Sequence, residues 1–173
     1  IRTGAFPVSG RVPFPRGALW NTDSLRLVAA DGAPVPAQFQ VRSRWGHPDA
    51  TSIRWLGLDF QAGPAPAWWP ARQQAAYFLE YCPRIKPAPV KTGLTIRETA
   101  DGLEVDTGPL QFAVRRAGFN LLDTVRLHGR DMLAPDPGAG LYLVDHEGAR
   151  YRAANDKATT LTVEEQGPLR AVI

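Results

Sequence analysis

Cysteine is nearly absent from this chain of 173 residues, in which Cys82 is the single thiol. One thiol cannot form an internal disulfide, and it cannot supply the several thiolates of a cysteine-based metal site. Cys82 directly follows the alternating apolar run of residues 77–81. The pattern therefore predicts a packed, small apolar side chain rather than a nucleophile.

Long apolar runs are also missing, since the longest are shorter than eight residues. A helix that crosses a bilayer needs about 20 apolar residues, so we predict no membrane span. The first residue, Ile1, is not a methionine, and no charged and then apolar leader follows it. A removed secretion signal is compatible with this start, and an extracellular or periplasmic location is favoured over a cytoplasmic one.

Concentrated positive charge is a third absence, although the net charge is +3. Arginine supplies 17 of the 20 basic residues, and these are scattered, with Arg115-Arg116 as the longest basic run. A nucleic-acid-binding protein needs a basic stripe with aromatic side chains between its charges. We therefore expect no nucleic-acid partner.

Motifs of catalysis, cofactor binding and metal binding are lacking as well. The three histidines, His47, His128 and His146, lie in predicted turns and share no ligand spacing. Asp145 and Glu147 could offer oxygen ligands to calcium, but they lack the spacing of a calcium loop. No Gly-x-Ser-x-Gly elbow or phosphate loop occurs, and no two carboxylates can be paired across a cleft. We therefore expect no cofactor and no metal, and we assign no catalytic residue.

Glycine and proline are abundant, with 16 of each, and apolar residues recur with period two almost throughout. These features predict an all-β protein of short strands and turns. Leu25 to Val28 and Val35 to Val41 flank an Asp-Gly turn and predict one hairpin. In residues 52–60, both of the alternating sets of side chains contain large apolar groups, which predicts a central strand buried on both sides.

Three prolines in residues 83–92 predict a semi-rigid linker. We therefore divide the chain into a small β-barrel at 1–83, a linker at 84–92, and the first part of an antiparallel β-sandwich at 93–173. In the second part, residues 94–98, 102–106 and 110–114 predict a meander, and 159–164 predicts a further strand. Residues 168–173 predict a strand that needs a neighbouring strand, from a continuation of the chain or from another molecule.

Tryptophans and arginines around one loop form the candidate binding site. Flat aromatic faces pack against sugar rings, and Arg side chains bond sugar hydroxyls. On this ground we predict substrate contacts for Arg42, Trp45, His47 and Arg54. Trp68-Trp69 occupies the next loop, whereas large aromatics commonly pack cores, so Trp20 and Trp55 are predicted core residues.

The order of several motifs resembles one known family. These motifs are Val8-Ser9-Gly10-Arg11-Val12-Pro13-Phe14-Pro15-Arg16-Gly17, Asp31-Gly32, Val35-Pro36-Ala37-Gln38, Ser52-Ile53-Arg54-Trp55-Leu56, Val105-Asp106-Thr107-Gly108-Pro109-Leu110 and Gly167-Pro168-Leu169-Arg170. The first half is similar to the N-terminal barrel, of the RIFT type, in the exo-rhamnogalacturonan lyase and YetA-like family. The second half is similar to the central β-sandwich of the same family.

The resemblance implies the front part of a carbohydrate-active protein whose relatives remove sugars from the end of rhamnogalacturonan by elimination. Family members continue into an α/α toroid that this sequence lacks, so we expect a chain that is not catalytic by itself. Its expected partners are a polysaccharide or further domains of the same protein. The alternatives are a non-catalytic carbohydrate-binding or structural module of an extracellular protein, and a standalone lyase with its site at Arg42 to Trp55.

Overall fold

The computed structural model describes residues 5–46, 51–63, 76–91, 93–134, 140–156 and 159–173. Within these ranges the chain is built from antiparallel sheets, none of them closed, and this confirms the predicted all-β class. The chain divides into two compact units, Ile1–Lys91 and Thr92–Ile173. The strands are β1 Phe6–Pro13, β2 Leu25–Ala29, β3 Pro34–Val35, β4 Ala37–Arg44, β5 Ile53–Ala62, β6 Tyr77–Tyr81, β7 Thr95–Glu98, β8 Gly102–Asp106, β9 Leu110–Arg115, β10 Thr124–Leu127, β11 Arg130–Asp131, β12 Tyr142–Val144, β13 Arg150–Arg152, β14 Glu165–Gln166 and β15 Ala171–Val172.

The first unit contains two three-stranded sheets, ordered β1-β5-β4 and β3-β2-β6. β5 is central in its sheet, as its two-phase apolar pattern predicts, and it pairs with β1 and β4 along nearly its whole length. β1 carries prolines at 7 and 13 and lies at an edge of the sheet. This position suits proline because it has no N–H to donate to a second neighbour.

Two neighbouring apolar clusters form the core of this unit. Leu25, Ile53 and Leu56 are fully buried in the first cluster, and Leu27 and Phe60 belong to the second. Alternation places Leu25 and Leu27 of β2 and every second residue of β5 from Leu56 onward inward, and irregular pairing at Arg54 brings Ile53 to the same side. Replacing a fully buried leucine by alanine in such a core costs about 2–5 kcal/mol.

The predicted hairpin around the Asp-Gly turn is correct only in its first part. β2 pairs with β3 through Leu27 opposite Val35 and Val28 opposite Pro34. The chain then leaves this sheet, and β4 pairs with β5 in the other one. Pro36 separates β3 from β4, and a proline at this point ends a ladder because it cannot donate a hydrogen bond.

The second unit contains a five-stranded antiparallel sheet in the order β11-β10-β9-β8-β7. The predicted meander is present as β7, β8 and β9, and each turn is closed by a threonine hydroxyl. Thr99 and Thr107 each bond the backbone three residues further on. Leu103, Val105 and Val114 are buried on one face of the sheet, and the opposite face is polar.

Three predictions for single segments are wrong or incomplete. Residues 159–164 form no strand, and β14 follows them instead. β15 covers only Ala171–Val172 and pairs with β14 around a tight turn closed by the Gly167 N–H and the Arg170 carbonyl. The strand at 168–173 therefore has a neighbour within the chain, and its pairing with a further strand stays a prediction. Cys82 is exposed rather than packed, because β6 ends before it.

Helices contribute almost nothing to the part of the chain that the structure describes. Its one helical turn is the 3-10 segment Ala153–Asn155. Across the described ranges, no helix has the length and apolarity needed to cross a membrane.

Candidate functional site

The candidate site lies on the face of sheet β1-β5-β4 that points away from the core. Leu56, Leu58 and Phe60 face inward, so the alternate residues of the three strands face outward. We name this surface the outer face. Its members are Ser9 and Arg11 on β1, Gln38, Gln40 and Arg42 on β4, and Trp55, Gly57 and Asp59 on β5.

Irregular pairing between β4 and β5 shapes one end of the outer face. Val41 lies opposite Leu56, Ser43 opposite Trp55 and Arg44 opposite Ile53. The pairing therefore skips Arg42 on β4 and Arg54 on β5. Such β-bulges re-aim side chains and increase the local twist. As a result Arg54 and Trp55, which are adjacent in sequence, are both exposed.

Arg42 lies across Gly57 in the centre of the sheet. A Cβ atom at position 57 would stand 2.6 Å from Arg42 Nε and 3.2 Å from its Cγ. The missing side chain of Gly57 therefore leaves the space that the arginine occupies. Trp55 and Asp59 are the outward neighbours of Gly57 on β5, so Arg42 lies on the same face as both.

Trp45 follows β4 and is anchored by two hydrogen bonds. Its backbone N–H donates to the Ser52 carbonyl at 3.0 Å, and its indole Nε1–H donates to the Phe14 carbonyl at 3.0 Å. The Arg54 guanidinium lies 4.9 Å from the centroid of the Trp45 ring. This is the geometry of a cation–π contact, which orients the guanidinium while leaving its hydrogen-bond donors available.

Several polar groups on and beside the outer face are well buried. Asp59 is 5% exposed, and its Oδ1 accepts a hydrogen bond from the Ser9 hydroxyl at 2.5 Å. The Gln40 Oε1 and Ser43 Oγ atoms are buried, and neither has a hydrogen-bond partner within the described part of the chain. Each of these two atoms therefore carries the cost of desolvation without a compensating hydrogen bond.

The charge of this surface is positive in total. Among its members, Arg11 and Arg42 are exposed and Asp59 supplies the carboxylate, and the exposed Arg54 lies beside the face at the bulge. An arginine side chain presents parallel donors that match the two oxygens of a carboxylate. The surface is therefore suited to a negatively charged ligand that also carries hydroxyl groups.

The predicted site residues are brought together only in part. Trp45 and Arg54 contact each other, and Arg42 lies one strand away at the same pair of bulges. His47 and the pair Trp68-Trp69 lie outside the described residues. The geometry of the predicted site therefore rests on three residues.

The prediction that Trp20 and Trp55 pack the core is wrong, because their side chains are 57% and 37% exposed. Trp55 alternates with Gly57 and Asp59, neither of which has a large apolar side chain. This pattern is sufficient to predict from the sequence alone that Trp55 faces outward. Arg11 and Gln40 were missed for a different reason. They face each other across Gly57 only through strand pairing between distant segments.

No group of three or more histidine, cysteine, aspartate or glutamate side chains gathers at a possible metal position in the described ranges. Comparison with models of known protein families finds no match for the chain, and comparison with curated proteins finds none either. The functional interpretation therefore depends on the outer face itself.

Proposed function

We propose that the outer face binds an acidic, uronate-containing polysaccharide, and that the chain is a β-rich part of a carbohydrate-active protein. The observation that carries the proposal is the exposed Trp55 ring on a sheet face beside Arg42, which lies over Gly57. The resemblance to exo-acting rhamnogalacturonan lyases points to the same class of ligand. It also leads us to propose a RIFT-type barrel for the first unit and a β-sandwich for the second.

The chemistry of the outer face fits such a ligand in three ways. The indole of Trp55 offers a flat apolar surface for the C–H groups of a pyranose ring, and its desolvation is favourable. The guanidinium groups of Arg42 and Arg54 can each bond a uronate carboxylate. The exposed Arg11, which pairs with Gly57 from β1, supplies further N–H donors for hydroxyl groups.

Positioning on a sheet favours binding because little side-chain freedom has to be lost. Arg54 is already oriented by Trp45, and Arg42 already lies in the space over Gly57. Pre-organised side chains bind more tightly because the cost of ordering them is not incurred on association. Polysaccharide binding is proposed without catalysis, since the Asp59 carboxylate is buried and bonded to Ser9.

The proposal is tested by isothermal titration calorimetry with oligogalacturonate and rhamnogalacturonan oligosaccharides. Trp55→Ala is expected to weaken binding about tenfold, which corresponds to ~1.4 kcal/mol. Trp20→Ala is the matched control, because Trp20 is more exposed and lies outside the strands of the outer face. Binding should also weaken between low and high salt, since the arginine–carboxylate attraction is screened.

Two outcomes would reject this function. Equal affinities for wild type, Trp55→Ala and Trp20→Ala would remove the outer face from binding. No binding of either acidic oligosaccharide would instead favour the structural module. A third outcome would change the proposed function instead of rejecting it. If the wild-type chain releases unsaturated uronate and Arg54→Ala does not, the chain is a lyase and not only a binding protein.

A further inference from the structure

The polar face of the five-stranded sheet in the second unit contains a groove of about 490 Å³. Strands β7 to β10 line it mostly with polar residues, among them Thr95, Asp106, Gln111 and Arg126, and Val105 and Phe112 also contribute to the lining. This face lies opposite the buried Leu103 and Val114 of the same sheet. The groove therefore belongs to the surface of the unit and not to its core.

A row of four polar side chains crosses the groove from strand to strand. The pairing places Thr95 opposite Asp106, Asp106 opposite Gln111, and Gln111 opposite Arg126. Three strand spacings of about 4.8 Å make this row ~14 Å long. The row is longer than a single pyranose ring, so it suits an oligosaccharide.

These side chains are held in place and still have hydrogen-bonding capacity. Gln111 Nε2 donates to Asp106 Oδ2 at 2.8 Å, and Arg126 Nε donates to Asp131 Oδ1 at 2.8 Å. The hydroxyls of Thr95 and Thr124 make no hydrogen bond within the described residues. Hydroxyls, an amide oxygen and guanidinium N–H groups thus offer both donors and acceptors toward the groove.

The charge balance of the groove differs from that of the outer face. Arg97 is paired with Glu104, and Arg126 with Asp131. With Asp106, two positive side chains stand against three negative ones. This excess of negative charge gives the groove no electrostatic attraction for a polyanion. A neutral ligand rich in hydroxyl groups can form hydrogen bonds with the mixed donors and acceptors.

We infer that the groove binds neutral sugar residues of an oligosaccharide, as a second surface separate from the outer face. This inference rests on the proposed carbohydrate function and extends it to neutral sugars. Binding is expected in the millimolar range, because the row offers hydrogen bonds without an aromatic platform and each hydrogen bond made in water has a small net value.

Two-dimensional amide NMR of the whole chain tests the inference, with cellotetraose, galactotetraose and oligogalacturonate as separate probes. We expect a neutral probe to shift the amides of Thr95, Gln111 and Thr124, and oligogalacturonate to leave them unchanged. Gln111→Ala and, separately, Arg126→Gln should raise the Kd for the neutral probe at least fivefold. The dispersion of the remaining amide signals shows whether each variant is folded.

Trp55→Ala separates failure of the inference from failure of the proposed function. Loss of oligogalacturonate binding in this variant, with the neutral-probe shifts retained, supports two independent surfaces. The inference is overturned if neither neutral probe shifts the groove amides, if oligogalacturonate shifts them instead, or if both groove variants bind as wild type. The first and third results leave the calorimetric test of the outer face unchanged, whereas the second adds an oligogalacturonate site that the comparison of wild type with Trp55→Ala has to separate.

Discussion

Gly57→Ala is expected to displace Arg42 from the outer face while leaving the first unit folded. The added Cβ would stand 2.6 Å from Arg42 Nε, far inside van der Waals contact, and 3.3 Å from the Gln40 carbonyl oxygen. The backbone at position 57 does not have a positive φ, so alanine can adopt it. The arginine side chain is flexible, and it is therefore the group that moves.

The expected magnitudes separate stability from binding. Alanine in a strand stabilises the folded state by about 0.5–1 kcal/mol relative to glycine, because less backbone entropy is lost on folding. The lost packing of Arg42 destabilises the folded state by a similar amount. The free energy of unfolding should thus change by less than about 1 kcal/mol. Loss of a charge-assisted hydrogen bond from Arg42 to a uronate costs about 1–2 kcal/mol at an exposed site, or ~5–30-fold in Kd.

Urea unfolding measures the first quantity, and calorimetric titration with oligogalacturonate measures the second. Gly10→Ala is the matched control, because Gly10 lies in β1 of the same sheet and a Cβ there would meet nothing within 4 Å. Arg42→Ala should lose as much affinity as Gly57→Ala. The reasoning is refuted if Gly57→Ala binds like wild type while Arg42→Ala is weakened, or if Arg42→Ala keeps full affinity.

Two further predictions concern an anchoring hydrogen bond and a turn. Trp45→Phe removes the indole N–H that donates to the Phe14 carbonyl, so urea unfolding should show a loss of about 1 kcal/mol; an unchanged midpoint would mean that this bond is dispensable. Backbone N–H donation from Ala149 lowers the pKa of Asp145 from its ordinary value of 3.8. The stabilisation of the β12–β13 turn is therefore present above that value and lost as pH falls through the lowered pKa. The protection factor of the Ala149 amide, which corrects the exchange rate for its intrinsic pH dependence, should fall at acidic pH, whereas in Asp145→Asn it should be independent of pH over that range.

Local alternation was sufficient to predict much of the fold. The strands β5, β8 and β9 appear where period-two runs of apolar residues predict them. Alternation was insufficient for residues 159–164, where the pattern is present but no strand forms. A strand also needs a neighbour with which to pair, and that neighbour is chosen by the tertiary fold.

The candidate site was predicted less completely than the fold. Arg42, Trp45 and Arg54 were identified because aromatic and arginine residues cluster near one loop in sequence. Trp55 was assigned to the core because a large aromatic in an apolar strand most often packs inside. The regular alternation of residues 55–60 places Trp55 outward with Gly57 and Asp59, and the bulge at Arg54 then turns Ile53 inward although it lies only two residues from Trp55.

The sequence by itself determined the all-β class and the polar and apolar phases of the longer strands, because side-chain alternation is a local property of extended backbone. Only the tertiary structure decided which strands are neighbours. Pairing of β1, β4 and β5 brings Arg11, Gln40 and Arg42 around Gly57 from segments far apart in the chain. The physical reason is that strand register depends on long-range backbone hydrogen bonds and on bulges, and neither leaves a periodic signal in the sequence.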